Sequence, residues 1–188
     1  NSFYVPKGND TEIAFLRWLQ DAEVDVHGHM QGRQAVEVNR IALNSYTKRS
    51  IVAIKHPEMD DTIRIYVKGA PEVILSQCAY TFNQHGEKIE LDKDCEKDIK
   101  KQMTEEMTKQ GFRTLGFSYK DMSVEDFYAI DGVEKEIESQ EVEEALCADH
   151  TFIALIALKD PLRDHVKKAI NRAKRAKITT RIITNNSL

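Results

Sequence analysis

The stretch Lys68-Gly69-Ala70-Pro71-Glu72 brings together the parts that anion chemistry needs. Residues Thr62 to Lys68 alternate, with Ile63, Ile65 and Val67 on one face and Thr62, Arg64 and Tyr66 on the other, which predicts a half-buried antiparallel strand. That strand delivers a lysine. Gly69 then lets a ligand approach the backbone, and Pro71 opens a helix at once, since the first helical turn needs no backbone donor. A cation, unpaired N–H groups and the positive end of a helix would meet there, as a phosphate requires. A strand-to-helix corner with an exposed lysine also occurs for purely structural reasons, and the residues alone leave both readings open.

Other constellations are weaker. There is no Walker A sequence and no Gly-x-Gly-x-x-Gly, so a P-loop or Rossmann site is not indicated. His27-x-His29 has no partner Cys or carboxylate pair at fixed spacing and reads as a surface loop rather than two metal ligands. Cys147 and His150 lie three apart beside an acidic stretch, and read as an inert thiol and an ordinary histidine rather than a nucleophile and its base. Met103 and Met107 continue a packing stripe begun by Cys95 and Ile99. The base-rich run Arg163–Lys177 has no interleaved aromatics, so it reads as a solvated or acid-docked helix face, not a nucleic-acid site.

The elements that must position these residues follow from periodicity. Thr11 is placed to cap a helix over about residues 12–23, with Ile13, Leu16, Trp18, Leu19 and Ala22 helically spaced. Ile41–Leu43 and Ile51–Ile54 read as strands joined through Thr47-Lys48-Arg49. The helix opened by Pro71 should run to about Ala79, and Asn83-Gln84-His85-Gly86 reads as a hairpin turn. Asp92 caps a helix reaching Gln110, which Gly111 ends; Arg113 to Tyr119 is a strand. Residues 121–149 hold eleven acids and one base, and predict a helix or two on a solvated face. Phe152–Leu158, the Arg163–Lys177 helix and Ile178–Thr184 together read as a parallel βαβ unit, which sets a boundary at Lys159–Asp160.

Composition bounds the rest. The 188 residues are 41% hydrophobic and 31% charged, too apolar for a disordered chain. The longest apolar run, Phe152 to Leu158, has seven residues, against the roughly 20 a membrane helix needs. Twenty-seven bases against 31 acids give −4, which speaks against a dedicated nucleic-acid binder. Three cysteines without a Cys-x-x-Cys fit a reducing compartment. No targeting segment is visible, and both ends read as cut from something larger.

With these residues in view, the chain resembles the nucleotide domain of P-type cation-transporting ATPases. Lys68–Glu72 matches their Lys-Gly-Ala-Pro-Glu motif. Gly8-Asn9-Asp10-Thr11-Glu12 resembles the Gly-Asn-x-Thr-Glu segment of plasma-membrane-type calcium pumps. Asn44–Arg49 resembles part of their Phe-Asn-Ser-x-Arg-Lys-Ser-Met turn, and Gly111-Phe112-Arg113-Thr114-Leu115 their Gly-Leu-Arg-Thr-Leu. Asp160-Pro161-Leu162-Arg163 resembles the hinge motif, and Ile182-Ile183-Thr184 the entry to a Thr-Gly-Asp-Asn loop. The matches run in order over residues 8–184.

The resemblance implies an α+β fold, an antiparallel sheet flanked by helices over residues 1–159, with the hinge and a short βαβ piece of the phosphorylation domain over 160–188. It implies ATP or ADP as ligand, with Mg2+ accompanying the nucleotide in the parent pump. The partners it implies are the phosphorylation and actuator domains of the same parent, with the membrane reached only through spans absent from this sequence. Glu12 falls on the acid near the adenine amino group, and Lys68 on the lysine of the adenine pocket, walled by Gly69 and Ala70. Arg113 falls on the arginine that reaches the polyphosphate, Lys48 on a second base near it, and Asp160 and Arg163 on the hinge pair. The family's Asp-Lys-Thr-Gly-Thr phosphorylation site is absent from the sequence, so the fragment is expected to bind nucleotide without transferring phosphate. Four departures stand out: Leu43 falls where the family stacks a Phe on adenine, Thr47 where it has an Arg, Ser50 where it has a Met, and Thr184-Asn185-Asn186-Ser187 lacks the loop's Gly and Asp. Without the stacking ring, affinity should fall by about 1–3 kcal/mol unless Tyr46 replaces it. A non-catalytic interaction module with a degraded pocket is the alternative.

Overall fold

The structure, a computed structural model, describes residues 7–28, 36–43, 46–55, 58–59, 61–133 and 140–183. They fall into two compact units that divide after Leu158.

The first unit is built on a seven-stranded sheet in the order β1-β2-β3-β6-β7-β4-β5. Its strands are β1 (Val36–Ile41), β2 (Arg49–Lys55), β3 (Thr62–Gly69), β4 (Cys78–Phe82), β5 (Lys88–Glu90), β6 (Arg113–Ser123) and β7 (His150–Leu158). All neighbours pair antiparallel except β4 with β7. The alternation read in Thr62–Lys68 holds: Ile63, Ile65 and Val67 are buried. Register carries that face sideways, with Ile51 opposite Val67 and Ala53 opposite Ile65. Against it pack helices α2 (Pro71–Ser76), α4 (Val124–Tyr128) and α5 (Gln140–Cys147), through Ile74, Leu75, Phe127 and Leu146. Each such side chain, fully buried, contributes roughly 1.5–3 kcal/mol. Gly116 of β6 lets α2 sit close, since a Cβ there would come within 3.2 Å of the Pro71 backbone.

Helix α1 (Asp10–Asp21) is capped by Asn9, whose side chain accepts from the Glu12 N–H, and not by Thr11. The cap lies two residues earlier than expected because Asn9 is as good a cap as Thr and its oxygen reaches the third helical N–H. Helix α2 stops at Ser76, short of Ala79, because the next residues are drawn into β4 beside β7. Helix α3 (Lys93–Lys101) is capped by Asp92 as expected, then loosens into a π-helical turn at Gln102–Met107 and a 3-10 turn at Thr108–Gln110. Gly111 ends it in the left-handed conformation, φ 76°.

Two expectations are corrected. The acidic segment does hold two helices, but Phe127, Val142, Leu146 and Cys147 put them in the core rather than on a solvated face. Net charge masked an apolar stripe on each. The βαβ reading also fails in detail: β7 lies within the sheet of the first unit, antiparallel to β6, and Ile178–Ile183 forms no strand. In the second unit, helix α6 (Val166–Arg175) is present as expected. Ile182 and Ile183 are more than nine-tenths exposed there, and a strand needs a neighbour for its backbone groups. Asn44, Ser45, His29 and Thr184–Ser187 lie outside the described residues.

Candidate functional site

The sheet has a second face, and of the candidate residues Lys68 and Arg113 lie on it. Register sets Ser50 opposite Lys68, Val52 opposite Tyr66, and Lys68 opposite Phe117, all pointing away from the core. Together with Ile153 of β7 they line a shallow concavity of about 280 Å3 whose walls are largely apolar. Helix α1 borders this face. Phe15 meets Phe117 edge to face, with centroids 5.6 Å apart. Glu12, in the first turn of α1, accepts a hydrogen bond from Lys68 Nζ at 2.9 Å. That bond, and then the lysine's charge, hold the Glu12 carboxyl below its ordinary range. Both groups are open to water, so the pair contributes little to stability and is available to exchange for a ligand.

The corner at Gly69 differs from the anion site its sequence suggests. The Ala70 N–H already donates to the Lys48 carbonyl at 2.9 Å, and Pro71 has no N–H. Helix α2 is six residues long, too short for a strong dipole. Gly69 is needed for packing instead: a Cβ there would lie 2.3 Å from the Lys48 oxygen. The reason is tertiary. The turn before β2 folds down onto the end of β3 and takes the space a phosphate would have used.

Lys48 and Arg113 lie toward this same end of the sheet. Lys48 is exposed, in the turn that enters β2, with φ 51°. Arg113 begins β6 on the open face, four residues from Phe117 and so roughly 13 Å along the strand. Arg49, next to Lys48, turns inward and donates from Nε and Nη2 to the buried Glu143 carboxylate of α5, each at 3.3 Å. Leu43 is 66% exposed and Tyr46 94% exposed, and neither lines the concavity. The residues that sequence reasoning missed are Phe15, Tyr66, Phe117 and Ile153. Tyr66 had been visible as an outward residue two before Lys68. The meeting of Phe117, Ile153 and Phe15 depended on pairings between distant strands. Asp160 and Arg163 are exposed in the second unit, outside its helix.

Behind the concavity, the Ser118 hydroxyl is 3.0 Å from His150 Nδ1, and His150 Nε2 donates to the Leu146 carbonyl at 2.8 Å. The ring is fully buried, and burial above all lowers its pKa to about 4. Burial likewise pushes the Cys147 thiol up to about 11 and Cys78 up to about 12. A histidine held neutral beside thiols held protonated is packing, not a nucleophile with its base. Among the described residues no three His, Cys, Asp or Glu side chains cluster to hold a metal, and no helix is long and apolar enough to cross a membrane.

The comparisons with known proteins agree with one another. The profile of the family described as P-type ATPase, cytoplasmic domain N, matches residues 4–165. Plasma membrane calcium-transporting ATPase 3 of Rattus norvegicus is 30% identical over 182 residues, which cover 96% of this chain and 14% of that protein. Plasma membrane calcium-transporting ATPase mca-1 of Caenorhabditis elegans is 28% identical, over 96% of this chain and 15% of its own length. Calcium-transporting ATPase 2 of Cryptococcus neoformans var. grubii is 30% identical, over 96% and 13%. The chain therefore spans about one seventh of the curated relatives it matches.

Proposed function

Because the chain belongs to the P-type ATPase cytoplasmic domain N family, we propose that it is the ATP-binding domain of a pump that transports a cation, calcium by similarity to its relatives. It holds ATP on the open face of its sheet and presents the terminal phosphate to an aspartate on a phosphorylation domain outside this sequence. The observation that carries this reading is the concavity in which Lys68, paired with Glu12, stands among apolar and aromatic walls.

The geometry divides the ligand's chemistry along the sheet. The apolar concavity suits the base, which gains from leaving water. The Lys68–Glu12 pair offers it one donor and one acceptor at the rim. Toward the Gly69 end stand Lys48 and Arg113, which suit the phosphates; there the groups stay hydrated and screened, so they orient more than they bind. The fold supplies no carboxylate cluster for Mg2+ among its described residues, so the ion would arrive on the nucleotide's own phosphates and neutralise part of their charge. The second unit, from Lys159, would carry the hinge at Asp160 and Arg163 and lead into the phosphorylation domain. In this reading the domain works at the cytoplasmic face of a membrane, with the actuator and phosphorylation domains of its parent as partners.

Titration of 15N-labelled chain with MgATP tests this. Shifts should cluster at Glu12, Lys68 and the β6 residues around Phe117, with a Kd in the millimolar range, about −4 kcal/mol. No shift up to tens of millimolar would overturn the reading and favour an interaction module on the same fold. A covalent acyl-phosphate on the isolated chain would contradict the placement of the acceptor aspartate elsewhere.

A further inference from the structure

The proposed nucleotide site has lost the ring expected at Leu43, yet its concavity is not without aromatics. We infer that the base stacks on Tyr66, with Phe117 as the wall beside it; this rests on the nucleotide reading above. Four observations converge. Tyr66 lines the concavity and is 39% exposed, which leaves an accessible π face. Its neighbours across the strands are Val52 and Tyr119, so it rests on a covered surface. On the same face, Arg64, two residues before it, is held by Asp121 through bonds of 2.6 and 2.8 Å and lies 4.9 Å from the Tyr119 ring centroid, so the surroundings of the ring are fixed before any ligand arrives. Phe117, in turn, is fixed by the Phe15 edge. Leu43 has no part in this concavity.

A ring whose neighbours are already fixed loses little freedom when a base settles on it, so stacking is retained in affinity rather than spent on ordering the side chain. Stacking is sequence-tolerant, because every base has a π face, so Tyr66 should contribute to ATP, ADP and adenosine alike.

Calorimetric titrations with MgATP, adenosine and inorganic tripolyphosphate decide it. Tyr66→Leu keeps the apolar bulk and removes the π face; it should weaken ATP and adenosine by the same factor, about 5- to 150-fold, and leave tripolyphosphate unchanged. Tyr66→Phe keeps the ring and its π face, and should cost only a few-fold. In the wild type, the adenine H2 and H8 resonances should move upfield on binding, and this shift should vanish in Tyr66→Leu. Leu43→Phe should change neither titration. If ATP binds the wild type and Tyr66→Leu binds it equally well, the stacking assignment is overturned while the nucleotide reading stands. Tighter binding by Leu43→Phe would also overturn it, by returning the base to residue 43. If the wild type binds none of the three probes, the nucleotide reading itself fails and the stacking assignment with it.

Discussion

The two faces of the sheet are written in the same strands, one residue apart, and they obey opposite requirements. On β3, Ile63, Ile65 and Val67 enter a closed face where three helices fill all the space. Between them, Arg64, Tyr66 and Lys68 stand on an open face with one helix along its border. The closed face is constrained by volume, so almost any loss is felt in stability. The open face is constrained by exposure: its side chains are useful because they are not fully covered. On the proposed reading, stability and nucleotide binding are therefore separable on β3 by the parity of residue number.

The comparison breaks most visibly in the core. Phe127→Ala should cost about 3–5 kcal/mol in chemical denaturation while leaving the Kd of the folded fraction for ATP unchanged. A comparable change in Kd would mean that the two faces are not independent.

The next largest effect is in pH. His150, on the closed face, is held down to about 4 from an ordinary 6.5. Above 6.5 it is neutral folded or unfolded, and its contribution is complete. As pH falls from 6.5 toward 4, the unfolded chain takes up a proton that the folded chain does not, so stability declines, by up to about 3 kcal/mol. Below about 4 both states carry it and the decline from this source ends. Denaturation of the wild type and His150→Gln across that window should show a shallower slope in the variant; equal slopes would remove His150 as the cause.

Gly69→Ala comes third. The added methyl meets the Lys48 carbonyl, which is backbone and cannot swing aside, so a cost of about 1–3 kcal/mol is expected, together with weaker ATP binding as the turn shifts. This variant sharpens the comparison, because Gly69 is the joint where the turn of one face rests on the strand of the other. The smallest effect belongs to Lys48→Gly. Relief of the left-handed backbone should hold or raise stability by up to about 1 kcal/mol, while ATP affinity falls in a salt-dependent way. A salt-independent loss would show that Lys48 acts through the turn and not through its charge.

What the sequence let through was local and periodic. The alternation of β3, the Asp92 cap, the Gly111 stop and the Asn83–Gly86 turn each depend on a few consecutive residues, and each is where it was read. The Lys-Gly-Ala-Pro-Glu stretch was legible as a strand-to-helix corner, and Lys68 meets Glu12 across 56 positions of chain. The anion reading of the corner, which the residues alone left open, loses the Ala70 N–H because the Lys48 carbonyl that accepts it arrives from the turn before another strand. The acidic helices were misplaced because charge count outweighed two buried stripes. Tyr66 and Phe117 were passed over because a concavity is a property of neighbouring strands, and no spacing within one strand announces it.

The pairing of β6 with β7 skips a residue: Phe117 faces Ala154 and Ser118 faces Phe152, which leaves Ile153 as the extra residue of a bulge. Up to the bulge the even-numbered residues His150 and Phe152 turn to the core; beyond it the odd-numbered Leu155 does. The strand therefore has a reading frame, and Ile153 is the frameshift. That shift interrupts any alternation within Phe152–Leu158. It also sets how this segment tolerates change in lineage. Substitutions at 153 alter one wall of the concavity, and loss of residue 153 would remove the bulge while leaving the later residues on their faces; a residue added between 153 and 158 would turn every later side chain to the wrong face. Variation here should accumulate as exchanges of residue type, with no residue gained.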